Sequence, residues 1–202
     1  MPFEENIRML HDTLSICKKG FYEHEGKTVK LKLSPQEMAQ VRVFLPDEVE
    51  ALKHFKDFPH IHKLGSRCSY GCQNADSFSV ARDRISFQKL LSLPGKKEKE
   101  VLVLNLANPV TPGGGTRVGA RAQEEDLCRK SSLLLSLESP EAKKYYSYNK
   151  SLYSQLSSNA IIITPKVEII KDENGQLLEE TAVVAVMTCA APMVQYGYEG
   201  LS

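Results

Sequence analysis

Two short groups of residues have the types and spacing that chemistry requires. Gly113 to Gly115 follow the apolar run VLVLNLAN (101–108), and Gln123-Glu124-Glu125-Asp126 begin a segment of helical composition seven residues later. Glycines let the backbone approach a ligand, and free amide groups at a helix start bind anions or oxygen-rich ligands. A carboxyl group facing a bound sugar can protonate a leaving oxygen and then activate water, and partial burial raises its pKa toward the useful range. The pattern therefore predicts a ligand site at the carboxyl end of a strand.

Each group alone has an ordinary explanation. A triple glycine is often only a flexible turn, and the helix dipole favours acidic residues in a first helical turn. No Gly-Lys-Ser or Gly-Lys-Thr follows the glycines, so nucleoside-triphosphate hydrolysis by a Walker A loop is unsupported. Three acids together beside a glycine loop favour a catalytic site over these explanations.

The segment resembles the microbial form of the poly(ADP-ribose) glycohydrolases, whose signature is three glycines, six to eight residues and then Gln-Glu-Glu. Here Gly113–Gly115 are followed by TRVGARA and then by Gln123–Glu125. The preceding NLAN (105–108) is similar to the family's strand ending in Phe-Ala-Asn, with leucine in place of phenylalanine. LCRKSSLLLSL (127–137) is similar to the family's helix, and a looser similarity continues through MTCAAP (187–192).

The resemblance implies a macrodomain fold with an ADP-ribose crevice at the strand ends, and hydrolysis of the ribose–ribose bond of poly(ADP-ribose). Glu125 would then be the catalytic acid that protonates the leaving ribose oxygen and activates water. Glu124 would hold ribose hydroxyls of the substrate as the second catalytic residue. Gly113–Gly115 would close over the ribose and diphosphate, Asn108 would bind the terminal ribose, and Gln123 would belong to the substrate-binding set. No metal and no cofactor is implied.

The resemblance also sets expectations about partners and about the end of the chain. Substrates would be poly(ADP-ribose) or ADP-ribosylated proteins, and the product would be ADP-ribose; neither membrane association nor direct DNA binding is expected. Microbial relatives continue with a further strand and a glycine-rich loop that grips the diphosphate, whereas the tail MVQYGYEGLS contains neither. An alternative is therefore a non-catalytic ADP-ribose-binding macrodomain module or an inactive truncated fragment, although a pure reader would not need Glu125.

Three further groups of side chains each allow a functional and a structural interpretation. A zinc site would use His60, His62, Cys68 and Cys72, but their spacing matches no common zinc pattern. An aromatic surface for bases would use Tyr145, Tyr146, Tyr148 and Tyr153, although such a cluster more often covers core with its hydroxyls at the surface. Positive charge for a diphosphate would come from Arg117, Arg121, Arg129 and Lys130, and the alternative is that they form a solvated helix face. Cys128 is interpreted as a small packed residue.

The elements that must position the site follow from hydrophobic periodicity. Helices are predicted over 2–18, from Ser77 and after the glycine loop, and a hairpin over 21–33. VLVLNLAN is an almost unbroken apolar run, which is typical of a strand covered on both faces in a parallel or mixed sheet. The order strand, glycine loop, helix, strand, strand indicates an α/β fold. Together with the resemblance it predicts a macrodomain-like three-layer sandwich with a mixed sheet that lacks the usual C-terminal elements.

Length and composition fit one folded domain with a small appendage. We divide the chain into an N-terminal helical accessory region, 1–74, packed on a macrodomain-like catalytic core, 75–202. The 202 residues carry a net charge of +1, which argues against a strongly basic nucleic-acid binder. The five cysteines are irregularly spaced, and the N-terminus shows no secretory signal, so a cytoplasmic location is expected, or a nuclear one in a eukaryote.

Overall fold

The computed structural model describes residues 3–53, 70–91, 100–152 and 157–191, which form a mixed α/β fold. The zinc candidates His60, His62 and Cys68 lie outside these ranges, as do Tyr153 and the tail 193–202. None of the described helices is long and apolar enough to cross a membrane. The division of the chain at residue 74 stays a prediction.

The secondary structure follows the predicted order closely. The helices are α1 (Phe3–Lys19), α2 (Pro35–Met38), α3 (Pro46–Lys53), α4 (Ser77–Leu91), α5 (Gln123–Lys130), α6 (Leu133–Leu137) and α7 (Lys143–Ser151). The strands are β1 (Phe21–His24), β2 (Lys27–Lys30), β3 (Arg42–Phe44), β4 (Leu102–Leu106), β5 (Ile161–Lys171) and β6 (Leu177–Cys189). The predicted N-terminal helix and the hairpin are confirmed, and the hairpin turns through Glu25 and Gly26, both with positive φ, as a two-residue turn requires.

The main sheet has the strand order β3-β5-β6-β4. Its neighbours are antiparallel except for β4 and β6, which pair in parallel from Leu102–Ala185 to Leu106–Cys189. The sheet is therefore mixed, as predicted. Within the described residues β4 is an edge strand, and its C-terminal end opens into the glycine loop.

The two faces of β4 differ in burial, contrary to the expectation from its apolar run. Val103 and Asn105 point into the core, whereas Leu102, Leu104 and Leu106 are 56%, 43% and 54% exposed. These leucines border a cavity of about 660 Å³ beside α4. The prediction of burial on both faces is thus not met within the described residues, because the strands and helices they provide leave the second face of β4 open.

Helix α1 packs against the segment that carries the predicted site. The buried Asn6 side chain donates to the carbonyl of Gly119, and Thr13 Oγ1 donates to the carbonyl of Arg129 at the end of α5. Gly119 has positive φ, and its Cα lies against the backbone of Phe3, where a side chain would not fit. The N-terminal helix therefore holds both the segment that precedes α5, at Gly119, and the C-terminal end of α5, at Arg129.

A buried carboxylate joins the hairpin region to the sheet. Glu168 on β5 is fully buried and accepts from the amides of Lys32 and Leu33 at 2.7 and 2.9 Å and from Thr181 Oγ1 at 2.6 Å. Burying a charge is costly unless donors surround it, and here three donors do so. A second, smaller apolar core surrounds this connection.

Candidate functional site

The loop after β4 is organised by Asn108. Its Oδ1 accepts from the amides of Val110 and Thr111, both at 2.9 Å, and the carbonyl of Thr111 accepts from the amide of Gly114. The side-chain oxygen that the resemblance assigned to the terminal ribose therefore shapes the loop. Binding of a ribose by Asn108 stays a prediction, and it would use the side-chain nitrogen of Asn108 instead of Oδ1.

The three glycines are required for three different reasons. Gly113 has a φ of +66°, and a Cβ there would lie 2.6 Å from Leu134 Cδ1 in the core. Gly114 has a φ of +55°, and a Cβ there would lie 2.5 Å from Glu125 Oε1 and 3.0 Å from Glu124 Oε2. At Gly115 the close neighbour would be Ala120. A side chain is thus excluded at Gly114 by the two carboxylates and at Gly113 by the packing of the core.

Glu125 has one anchored oxygen and one free oxygen. Oε1 accepts from the amide of Gly115 at 2.8 Å, whereas Oε2 is buried and accepts no hydrogen bond from the described residues. A buried carboxylate oxygen without a donor is rare and calls for a partner such as a ligand group or water. Glu125 therefore has one oxygen available to a ligand or water while the backbone of the loop holds the other.

Glu124 is more deeply enclosed and is bonded at both oxygens. It is 2% exposed; Oε2 accepts from the amide of Asn108 at 2.8 Å, and Oε1 from Asn105 Nδ2 at 3.3 Å. Burial is the main cause that raises the pKa of Glu124 to about 7, and the charge of Glu125 adds to it, while the hydrogen bonds from Asn108, Asn105 and Gly113 oppose it. Glu124 therefore keeps its proton up to a higher pH than an ordinary glutamate does.

The sequence predicted that the amides of the glycine loop are free to bind an anion, but in the structure they are already bonded. The amide of Gly113 points to Glu124, that of Gly114 to the carbonyl of Thr111, and that of Gly115 to Glu125. In the structure the N–H groups of Gly113 and Gly115 hold the two carboxylates in place. Contact of the loop with a ribose or diphosphate stays a prediction.

Asn105 is a site residue that the sequence interpretation missed. It is fully buried, and its Nδ2 donates to Glu124 and to Thr188 Oγ1, while its Oδ1 is buried without a partner among the described residues. The signal was present, because Asn105 is the polar member of the inward-facing pair Val103 and Asn105. The apolar run around it concealed that signal.

The tyrosine pair of α7 is buried, and its hydroxyls do not reach the surface. Tyr145 and Tyr146 are buried and meet edge to face, with ring centroids 5.0 Å apart. Burial is the main cause that raises both tyrosine pKa values, and the charge of Glu124 contributes to each. The expectation of hydroxyls at the surface is thus wrong for this pair, because α7 turns the rings inward. Cys128 is fully buried, as predicted.

The basic residues near the signature all contact groups of the protein itself, and two of them, Arg129 and Lys130, are buried. Arg117 forms a bidentate ion pair with Glu138, and Arg129 donates to the carbonyl of Ala120 at 2.5 Å. The buried Lys130 bridges two carboxylates, those of Asp76 and Asp126. Arg121 lies over the ring of Phe3. The arrangement favours a structural role for these charges over binding of a diphosphate.

Gln123 lies at the start of α5, against the outer edge of β4. Its Nε2 donates to the carbonyl of Leu104 at 2.7 Å, and its Oε1 accepts from the amide of Leu106 at 2.9 Å. Among the described residues, no group of three or more His, Cys, Asp or Glu side chains could hold a metal ion. Cys72, the one zinc candidate within these residues, is exposed.

The site can be compared with known proteins now that its geometry is established. The family model described as "Microbial-type PARG, catalytic domain" matches residues 11–172, where PARG denotes poly(ADP-ribose) glycohydrolase. No curated protein sequence matches the chain significantly.

Solved structures with the same fold are bacterial poly(ADP-ribose) glycohydrolases. The enzyme from Thermomonospora curvata bound to the inhibitor ADP-HPD is 25% identical, with a TM-score of 0.78 over 94% of this chain. The enzyme from Deinococcus radiodurans in complex with ADP-ribose is 34% identical, with a TM-score of 0.66 over 81% of this chain. The chain spans 63% and 60% of the lengths of these two proteins.

Proposed function

The chain belongs to the family of microbial-type poly(ADP-ribose) glycohydrolases, and we propose that it hydrolyses the ribose–ribose O-glycosidic bond of poly(ADP-ribose) to release ADP-ribose. The observation that carries this proposal is the pair of buried carboxylates against Gly114. One of the pair, Glu125, has a free oxygen, and the pKa of the other, Glu124, is raised to about 7. Glycoside hydrolysis needs a carboxyl group that gives and takes a proton beside a developing oxocarbenium centre.

Glu125 is the general acid and base in this proposal. Its free Oε2 carries the proton to the leaving ribose oxygen as the bond between that oxygen and the anomeric carbon breaks. The resulting carboxylate then takes a proton from water, whose oxygen adds to the anomeric carbon. The amide of Gly115 keeps Oε1 in place throughout, so that the proton is exchanged at one defined atom.

Glu124 holds the hydroxyls of the ribose being released. In its neutral form it can donate a hydrogen bond to a hydroxyl, and in its ionised form it accepts one. Because its pKa is raised to about 7, it also carries less negative charge beside Glu125 near neutral pH than an ordinary glutamate would. The substrates are poly(ADP-ribose) chains, including those on ADP-ribosylated proteins, and the expected location is cytoplasmic.

The test uses the purified chain, poly(ADP-ribose) and a measurement of free ADP-ribose. Glu125→Gln keeps the size of the side chain and removes its proton exchange, so release of ADP-ribose should fall by about 10²–10⁴-fold. Calorimetric titration should show that this variant still binds ADP-ribose. Release at the wild-type rate would refute the assignment of Glu125. Binding without hydrolysis by the unaltered chain would show a reader instead of an enzyme.

A further inference from the structure

The side-chain amide of Gln123 imitates a neighbouring strand at the edge of β4 that no described strand pairs with. In a parallel pair, one residue donates to the carbonyl before its partner and accepts from the amide after it. Gln123 does both with one side chain, since Nε2 donates to Leu104 and Oε1 accepts from Leu106. The residue between them, Asn105, faces the core and bonds to Glu124.

These bonds continue directly into the carboxylate pair. Gln123 bonds to the amide of Leu106 at 2.9 Å, and the next residue, Glu124, bonds to the amide of Asn108 at 2.8 Å. Consecutive side chains of α5 therefore hold alternate amides at the end of β4. The N-cap residue of this helix, Ala122, makes no side-chain capping bond, so these contacts tie its first turn to the sheet.

We infer that Gln123 is a positioning residue, which fixes the first turn of α5 on the edge of β4 and so sets the place of Glu124 and Glu125. Both polar atoms of its amide bond to the backbone, and these two bonds fix the orientation of the side chain. The same bonds cover the edge of β4 at Leu104 and Leu106, where another strand would otherwise pair. The kinetic part of this inference rests on the proposed hydrolase function.

Gln123→Met tests the inference, because methionine keeps the length of the side chain without its hydrogen bonds. We expect amide hydrogen exchange at Leu106 to accelerate about tenfold, because the loss of one hydrogen bond changes an equilibrium by about that factor. The amide of Ala107, which bonds to Cys189 on the other side of β4, is the internal control and should stay protected. Unchanged protection at Leu106 would overturn the inference whether or not the chain is an enzyme.

Two further readouts separate positioning from other roles. On poly(ADP-ribose), kcat should fall about 100-fold with KM nearly unchanged, since misplaced catalytic groups lower turnover. The carboxyl ¹³C titration of Glu124 should shift in the same variant, and this measurement needs no activity. A raised KM with normal kcat would make Gln123 a substrate ligand and overturn the inference. Gln40→Met, at an exposed position, is the control and should change none of these quantities.

Inactive wild-type protein would refute the proposed function alone. The exchange at Leu106 and the titration of Glu124 would still test whether Gln123 positions the first turn of α5. Gln123→Glu provides a second variant, because it keeps the acceptor for Leu106 and places an oxygen against the carbonyl of Leu104. Its Leu106 amide should exchange at a rate between those of wild type and Gln123→Met; exchange faster than in Gln123→Met would contradict the assigned bond.

Discussion

Glu124→Gln should remove the pH dependence that this residue contributes to stability. Folding raises the pKa of Glu124 from 4.5 to about 7, mainly because the side chain is buried. The folded state therefore binds this proton more tightly than the unfolded state, so the group weakens folding as the pH rises from about 4.5 to about 7. Below that window Glu124 is protonated in both states and the cost is absent.

The size of the effect follows from the change in pKa. A rise from 4.5 to about 7 corresponds to about 3 kcal/mol of unfolding free energy, at 1.36 kcal/mol for each pKa unit. An amide at this position can accept from the amide of Asn108 through its oxygen. Its nitrogen can donate to Oδ1 of Asn105 once the side-chain amide of Asn105 has turned over, because in the wild type Nδ2 and not Oδ1 faces Glu124. Nδ2 then replaces Oδ1 as the atom without a partner, so the substitution removes the ionisation cost without adding to the number of unpaired buried groups.

Urea unfolding at a series of pH values between 4 and 8 measures this effect. Near pH 8 the variant should be more stable than the wild type by up to about 3 kcal/mol, and the difference should vanish near pH 4. Glu141→Gln removes a carboxyl group from the exposed surface and controls for the loss of one charge. A difference between wild type and Glu124→Gln that stays constant across this range would refute the reasoning.

Two further substitutions test the packing around the site and the connection to the hairpin. Gly113→Ala should destabilise the fold by about 1–3 kcal/mol, because the new Cβ would lie 2.6 Å from Leu134 Cδ1. Combining it with Leu134→Ala in urea unfolding should cost less than the two single effects together, and simple additivity would contradict this account. Glu168→Gln should cost about 1–3 kcal/mol, because the amide nitrogen would face one of the backbone donors of Lys32 and Leu33. Its rate of ADP-ribose release per folded molecule should not change, and unaltered stability would show that these donors do not need the charge.

Local sequence patterns predicted the elements but not the face that each one buries. The periodicity of α1 and the Glu25-Gly26 turn depend on residues close in sequence, and the structure confirms both. The apolar run of β4 suggested burial on two faces, yet burial depends on what lies across the strand. Leu102 and Leu104 have the composition of core residues and are exposed among the described residues.

The residues of the site were visible in sequence, whereas their partners were not. Glycine spacing and the acidic run pointed to Glu124 and Glu125, but the same pattern suggested that the loop amides were free. They are occupied because α5 returns its first turn to the end of β4 and brings the carboxylates onto them. Asn105 depends on this return as well, since its partners Glu124 and Thr188 are 19 and 83 residues away.

The edge position of β4 also has a consequence for synthesis of the chain. Among the described strands β4 pairs only with β6, and the bond between Asn105 and Thr188 joins residues 83 positions apart. A ribosome adding about 5–20 residues per second needs roughly 4–17 s to make that interval. During this time β4, the glycine loop and α5 have been translated without the strand that anchors them. Completion of the bonds around the carboxylate pair is thus a late event in folding, because it must await β6.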